Sequence, residues 1–478
     1  MSTILRAPVL VFVKLVSAVY ALLWNDLITL PLPGGGTLGL PLLVMLLVPT
    51  GAYFTLRTRF LPVRLLPAMA RVAVEKRPRG HASLSGVQSL IVSTATRVGM
   101  GNLVGVVAAI SAGGAGAVFW MWVTALLGAS TAFIESTLAN LYKEEDPLYG
   151  GTRGGPALYL HALAERWRGR KLRRSVLAVC FAASGLICWC VISQVIGNSV
   201  SSAFKNAFGI PPLHSTILLV AVAAVIVLRK NATVKVLDVL VPVMAGAYFF
   251  LTVFLILKNA ALLPDVFRRI LAEAFGLRQM AAGGFGAVLM NGVKRGLFSN
   301  EAGSGSAPCS AAAAEADHPA KVGLLQAFGV LIDTIVICTC TAMIMLLAPQ
   351  DLLAGQSGMG LLQTAMVHHL GGFGSVFIAV ILWLFSFSTF IGVLFYARSN
   401  VAYLCGDNWA SQTAYKVLAL VMLFIGCLAA YTFVWDLGDV GIALMTIFNM
   451  IVLFPMSGEA LASLRDYEAI MKRRKQRK

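Results

Sequence analysis

Residues 96–102 read TRVGMGN and lie inside an apolar segment, 86–112, that is long enough to cross a bilayer. Its two glycines disfavour a helix, and the charge of Arg97 is costly in hydrocarbon. The glycines begin about 13 residues into the segment, roughly 20 Å along a helix and near the bilayer midplane. Non-helical backbone persists near the bilayer midplane only where it is buried in protein or lines a cavity. These residues therefore predict an interrupted helix.

A second interruption is predicted at residues 298–308, FSNEAGSGSAP. Each interrupted segment opens a set of five apolar segments, within 86–258 and within 281–463. Two breaks in corresponding places are typical of an inverted repeat with a binding site between discontinuous helices. For one glycine cluster alone the alternative is close helix packing, because Gly101 and Gly105 also form a G-x-x-x-G pattern. Both breaks together, each beside a charged residue, favour a binding site.

The composition indicates an all-α polytopic membrane protein. The chain has 478 residues, of which 58% are hydrophobic and only 12% charged, whereas soluble domains average about 25% charged residues. Residues 9–24 contain Lys14 and are predicted to form an interfacial helix. About eleven spans of ~20–25 residues are expected. The predicted spans are 38–56, 86–112, 116–142, 175–205, 214–230, 234–258, 281–312, 322–348, 372–400, 411–431 and 437–463.

The basic residues predict the orientation of the chain. The net charge is +17, and Lys and Arg concentrate in residues 57–79, 153–174 and 472–475. Positive charge accumulates in cytoplasmic loops, so we expect a multi-pass protein embedded in the lipid bilayer of the inner membrane, with a cytoplasmic C-terminus. Nucleic acid is not expected as a partner. Binding it requires a basic surface on a folded soluble module, and the sequence predicts no such module.

The order of these segments divides the chain into four parts. Residues 1–85 are predicted to hold the interfacial helix, one extra span and a basic cytoplasmic segment. The first inverted repeat is predicted at 86–260, the second at 261–464, and a basic cytoplasmic tail at 465–478.

The sequence around the breaks resembles the alanine or glycine:cation symporter family of bacterial and archaeal amino-acid carriers. This resemblance implies a leucine-transporter-like (LeuT-like) fold of five plus five helices with an added N-terminal span. It also implies symport of a small neutral amino acid, alanine or glycine above all, with sodium or in some members with protons. The matching stretches are RVGMGNLVGVVAAISAGGAGAVFWMWVTALLGASTAFIESTLANLYKE from Arg97, GGTRGGPALYL from Gly150, GVKRGLFSNEAGSGSAP from Gly292 and DHPAKVGLLQAFGVLIDTIVICT from Asp317.

The residues of the two breaks are expected to bind the amino acid. Its carboxylate needs donors and its ammonium needs acceptors, and unwinding beside a helix N-terminus frees N–H groups for an anion. We expect Gly99, Met100 and Gly101 to bind the carboxylate, and Ser299 and Asn300 to face the ammonium. The family commonly has Thr or Ser in place of Met100, which leaves open the choice among alanine, glycine, serine and glutamine.

The sodium site is expected by resemblance to LeuT-like transporters. It would use the main-chain carbonyls of Ala95 and Val98 and the hydroxyls of Ser388 and Thr389, since such oxygens suit a hard cation. The alternative for the two hydroxyls is hydrogen bonding to their own helix. Asn102 is expected in the substrate site, where it would also ligate a second sodium ion.

Three further residues are assigned to the substrate site. Gln194 is expected to contact the substrate or to hydrogen-bond a neighbouring helix, and Trp383 to wall the pocket or to pack within its span. Glu301 would be neutralised by Arg97 or Arg295, which holds the broken helices in register, or would itself contact the ammonium or a proton.

Two other classes of function agree less well with the sequence. A channel or facilitator needs a continuous polar pore or filter, whereas the polar residues here cluster at two breaks. A membrane enzyme would be indicated by a motif such as H-E-x-x-H or G-x-S-x-G, and neither occurs. We therefore expect a transporter and not an enzyme.

Overall fold

Helices make up nearly all of the structure. The computed structural model describes residues 3–31, 37–75, 84–229, 232–275, 285–353, 355–356, 358–427 and 431–476. Over these residues, seven helices are long and apolar enough to cross a membrane, and four apolar helices are shorter. The α-helices are α1 Thr3–Trp24, α2 Leu42–Arg57, α3 Leu61–Arg64, α4 Leu66–Val74, α5 Gly86–Arg97, α6 Val106–Gly113, α7 Gly116–Leu141, α8 Pro156–Arg168, α9 Val176–Phe208, α10 Pro212–Val227, α11 Ala232–Lys258, α12 Leu263–Ala274, α13 Phe285–Asn300, α14 Ala307–Ala312, α15 Pro319–Leu331, α16 Thr339–Leu346, α17 Gln350–Leu353, α18 Met359–Leu370, α19 Gly372–Cys405, α20 Trp409–Gly426 and α21 Tyr431–Gln476.

The predicted all-α polytopic fold is confirmed, and each of the eleven predicted spans contains a helix or an interrupted helix. The two predicted interruptions are present, between α5 and α6 and between α13 and α14. The eighth span differs from the sequence expectation, because a π-helical segment separates α15 from α16. In the described ranges, three short two-stranded sheets lie outside the helices. Their strands are β1 Asp26–Pro31, β2 Thr37–Pro41, β3 Leu84–Ser85, β4 Glu144–Glu145, β5 Thr152–Arg153 and β6 Ala314–Glu315.

The two interrupted helices run antiparallel to each other. Strand β3, just before α5, pairs in parallel with β6, just after α14, so the start of the first interrupted helix meets the end of the second. At the opposite end, a Cβ on Gly113 of α6 would lie 3.1 Å from the Cβ of Asn291 of α13. This opposite orientation is the arrangement that an inverted repeat requires.

A buried cluster of charges joins α1, α13 and α21. The Asp439 carboxylate accepts hydrogen bonds from both terminal nitrogens of Arg295, at 3.1 Å each, and lies 2.6 Å from the Lys294 ammonium. That ammonium also donates to the Tyr20 hydroxyl at 2.6 Å, and the Trp24 indole N–H donates to the Asp439 carbonyl oxygen at 3.1 Å. The cluster therefore fixes α1, the helix predicted at residues 9–24, against the rest of the protein.

Replacing Asp439 with Asn should destabilise the protein, because Lys294 and Arg295 would lose their shared carboxylate in a buried site. Removing one partner of a buried ion pair costs about 3–5 kcal/mol. Thermal unfolding in detergent should therefore begin at a clearly lower temperature. Asp265→Asn is the matched control, because Asp265 is 71% exposed and pairs with the exposed Arg268. Equal stability of the two variants would show that the cluster does not fix α1.

Candidate functional site

The first interruption is a π-helical segment, Gly101–Gly105, between α5 and α6. Just before it, the Gly99 N–H donates to the Asn102 side-chain oxygen at 3.2 Å, and the Met100 N–H donates to the Thr389 hydroxyl oxygen at 3.3 Å. Both amides thus bond to side-chain oxygens, which are acceptors of the kind that a carboxylate also presents. The structure brings Thr389 of α19 directly against the break.

The second interruption leaves the helical path, yet every backbone N–H from 301 to 306 has an acceptor. Glu301, Gly303 and Gly305 have φ angles of 55°, 84° and 84°. A buried glutamate in this left-handed region is strained, and such strain concentrates at functional sites. The acceptors are the carbonyl oxygens of Leu297 and Glu301 for residues 301 and 304, and the side chains of Asn300 for 302, Glu135 for 303 and 305, and Ser304 for 306.

A buried glutamate of α7, which the sequence analysis did not assign to the site, holds the second break. Glu135 accepts the Gly303 N–H at 3.0 Å and the Gly305 N–H at 3.2 Å, and it accepts the Asn449 amide at 2.7 Å. The Tyr159 hydroxyl in turn donates to the Asn449 oxygen at 2.6 Å. The Glu135 carboxylate thus replaces the carbonyl oxygens that would accept these two N–H groups in a continuous helix. Its signal in the sequence was a charged residue inside an apolar run.

The two interruptions touch each other. A Cβ built on Gly101 would lie 3.3 Å from the Cα of Ser299 and 3.5 Å from the carbonyl oxygen of Phe298. A Cβ on Gly105, one turn further, would meet its nearest atom on the Phe298 ring at 3.9 Å. Gly101 therefore sets how closely the two backbones approach. The polar side chains of both breaks are buried, so this conformation is closed to solvent at the breaks.

One carboxylate connects the two breaks. Asp333 lies on the π-helical segment between α15 and α16, and it accepts the Asn102 amide on Oδ1 and the Ser299 hydroxyl on Oδ2, each at 2.8 Å. Thr334 donates to Oδ2 at 3.0 Å and accepts the Asn300 amide at 3.3 Å. Asp333 was not among the site residues expected from the sequence, although a carboxylate in the apolar run GVLIDTIVIC is a signal of function.

Helix α19 places the predicted sodium-binding hydroxyls beside the first break. Both Ser388 and Thr389 donate to the carbonyl oxygen of Phe385 at 2.9 Å. Their protons are thus directed to their own helix, and the Thr389 oxygen also accepts the Met100 N–H. Val98 is buried just after α5, and Ala95 lies in the last turn of α5. These four residues offer the oxygens that suit sodium, and their ligation of the ion stays a prediction.

Gln194 and Trp383 make packing contacts. The Gln194 side chain on α9 donates to the sulfur of Met422 on α20 at 3.1 Å. Trp383 stacks on Phe387 of the same helix, with ring centroids 5.6 Å apart and planes 5° from parallel. The Gln194 contact is the helix–helix bond that the sequence left as one alternative, and the role of both residues in substrate binding stays a prediction.

The basic residues near the breaks have defined partners. Arg295 is paired with Asp439, and the buried Arg97 donates to the carbonyl and side-chain oxygens of Gln326 at 3.1 and 3.2 Å. Asp439 is therefore the carboxylate that neutralises Arg295, a partner that the sequence analysis did not anticipate. The assignment of Glu301 to the substrate site stays a prediction.

Two interrupted, antiparallel membrane helices with a shared polar centre define a secondary transporter of LeuT-like architecture. The chain matches the sodium:alanine symporter family over residues 34–478 and belongs to that family. Sodium-coupled symport of an amino acid is accordingly its function, and sodium is its coupling ion.

Several named proteins are similar to this chain. The probable sodium/glutamine symporter GlnT of Bacillus subtilis is 42% identical over 89% of this chain and 87% of its own length. The sodium/alanine symporter AgcS of Methanococcus maripaludis is 31% identical over 96% and 98%. A manganese transporter of Eremococcus coleocola shares the fold, with a TM-score of 0.51, 13% identity and coverage of 81% of each chain.

Replacing Gly101 with Ala should reduce transport by on the order of tenfold or more, because the new methyl group would separate the two breaks. Gly105→Ala is the matched control, since it adds the same methyl group to the same π-helical segment with an ordinary contact. Initial rates of sodium-driven uptake into proteoliposomes with equal protein content measure the difference. Equal rates for the two variants would contradict the close approach of the breaks at Gly101.

Proposed function

We propose that the protein imports a small neutral amino acid, alanine or glycine, with sodium across the inner membrane by alternating access, and that its C-terminus is cytoplasmic. The observation that carries this proposal is the convergence of Asn102 and Ser299, one from each break, on the Asp333 carboxylate. When one repeat rocks against the other, the substrate can reach a site between the two repeats alternately from each side of the membrane. No chemical change of the substrate is part of the proposal.

The polar groups at the breaks match the two charged ends of an amino acid. The amides of Met100 and Gly101, at the start of a helical segment, suit the carboxylate. Ser299 and Asn300 offer oxygens to the ammonium, and Asp333 adds the opposite charge, which strengthens such hydrogen bonds. We add Asp333 to the residues expected from the sequence, because it supplies the negative charge that the neutral side chains of Ser299 and Asn300 lack.

Sodium and substrate binding are proposed to be linked through one hydrogen bond. The Thr389 oxygen that would ligate sodium is the oxygen that accepts the Met100 N–H. A sodium ion ligated by the Thr389 oxygen would break this hydrogen bond, and the Met100 N–H would then be free to bind the substrate carboxylate. The other proposed ligands are the Ser388 hydroxyl and the carbonyl oxygens of Val98 and Ala95. Sodium would then raise the affinity for the amino acid, and the amino acid would raise the affinity for sodium by the same factor.

Glutamine is the second candidate substrate. It is favoured by the similarity to a relative named as a probable sodium/glutamine symporter, at 42% identity. Alanine is favoured by the family as a whole and by relatives named as alanine carriers at 31–37% identity. A flexible thioether at Met100 is compatible with either size of side chain.

One sodium ion per amino acid is energetically sufficient. A membrane potential of 100 mV contributes about 2.3 kcal/mol per positive charge, and a tenfold sodium gradient about 1.4 kcal/mol more. Together they support roughly 500-fold accumulation of a neutral zwitterion.

Uptake of radiolabelled alanine into proteoliposomes tests the proposed function. An inward sodium gradient should drive accumulation above the external concentration, whereas potassium in its place should not. Competition by each common L- and D-amino acid then identifies the substrate, and glutamine competing better than alanine would select the second candidate. Equilibration without accumulation would indicate a channel or facilitator and overturn the proposal.

Replacing Thr389 with Ala should weaken the sodium dependence of uptake, because it removes one proposed ligand. We expect the sodium concentration for half-maximal uptake to rise on the order of tenfold, the loss of about one hydrogen bond to a charged group. Thr252→Ala is the matched control, since Thr252 is also buried and bonds back to its own helix, at 2.8 Å to the Tyr248 carbonyl. An unchanged sodium dependence in folded Thr389→Ala protein would remove Thr389 from the site.

A further inference from the structure

The connection between α8 and α9 is strongly basic. Residues 166–174 read RWRGRKLRR, with six basic side chains, and they directly precede α9, one of the helices long enough to cross the membrane. The charge distribution assigns this connection to the cytoplasmic face. The accumulation of positive charge in cytoplasmic loops explains why basic residues are present here, but it does not explain why some of them lack a carboxylate partner in the described part of the chain.

Four arginines of this connection have no carboxylate partner among the described residues. Some other basic side chains of the same face are paired, as Arg153 is with Glu144 and Asp407. Within the connection, Arg166 pairs with Glu459, and Lys171 with Glu165. The four arginines without a carboxylate are Arg168, Arg170, Arg173 and Arg174, all of them exposed.

A cleft of about 200 Å³ lies where α8 ends and α9 begins. Arg168 and Arg174 line it together with Trp167, Ser175 and Val176. Trp167 is 61% exposed and Val176 is 71% exposed. Exposed Trp is typical of the membrane–water interface, where its ring lies at headgroup level. The cleft therefore combines two guanidinium groups with an apolar wall at the edge of a membrane span.

We propose that this cleft binds the phosphate headgroup of an anionic phospholipid. Two arginines present paired N–H donors to phosphate oxygens, while Trp167 and Val176 contact the start of the acyl chains. Clusters of four to eight Lys or Arg beside the cytoplasmic end of a span are typical of anionic-lipid binding. The proposal does not depend on which amino acid is carried.

Helix α8 connects this cleft to the second break. Its Tyr159 donates to Asn449, which donates to both Glu135 and the Gly303 carbonyl oxygen. The helix that ends at the cleft therefore also carries a side chain of the hydrogen-bond network that satisfies the second break.

Quenching of Trp167 by brominated lipids tests the proposal directly. The full chain is reconstituted in vesicles that contain brominated phosphatidylglycerol or, at the same fraction, brominated phosphatidylcholine. The Trp167 signal is the difference between the unmodified protein and Trp167→Phe. We expect stronger quenching by the anionic lipid, and equal quenching by both lipids would overturn the proposal.

Two double variants separate the cleft from general surface charge. Arg168→Gln with Arg174→Gln removes the cleft arginines and should weaken the apparent lipid affinity on the order of tenfold for each arginine, the loss of about one hydrogen bond to a charged group. Arg170→Gln with Arg173→Gln removes the same charge from the same connection and should retain most of the excess quenching. Equal losses in both variants would indicate diffuse attraction and contradict the site.

Discussion

A peptide group inside a bilayer must find its hydrogen-bond partners within the protein, because hydrocarbon offers none. Interrupting two helices there exposes amides that an intact helix would satisfy. The structure supplies side chains in their place: Glu135 takes two amides of the second break and Asn300 a third. Asn102 and Thr389 each take one amide of the first break. This requirement determines which polar side chains occupy the middle of the protein.

The side chains that satisfy the breaks also give the site its charge. Asp333 joins donors from both interrupted helices, and the buried Arg97 acts electrostatically on both Asp333 and Glu135. Thr389 meets the first break with the hydroxyl that is proposed to bind sodium. A small dipolar substrate and a cation that bind at the breaks would therefore exchange with existing hydrogen bonds.

The sequence predicted the features that depend on neighbouring residues, and it did not predict contacts between residues that are far apart in the chain. The spans follow from the length of apolar runs, and both breaks follow from glycines beside charged residues. The acceptor for Gly303 is Glu135, 168 positions away, and the partner of Arg295 is Asp439, 144 positions away. Only the folded arrangement brings such groups together. The sequence marked Asp333 as a carboxylate at membrane depth, and the convergence of both breaks on it required the structure.

A cryo-EM structure of the protein with bound sodium and its transported amino acid would show where the substrate binds. We expect density for the amino acid between the two breaks, with its carboxylate at the Met100 and Gly101 amides and its ammonium at Ser299 and Asp333. The Met100 amide should then have left Thr389 for the carboxylate. Density for the amino acid elsewhere, with the contacts between the breaks and Asp333 unchanged, would contradict the account.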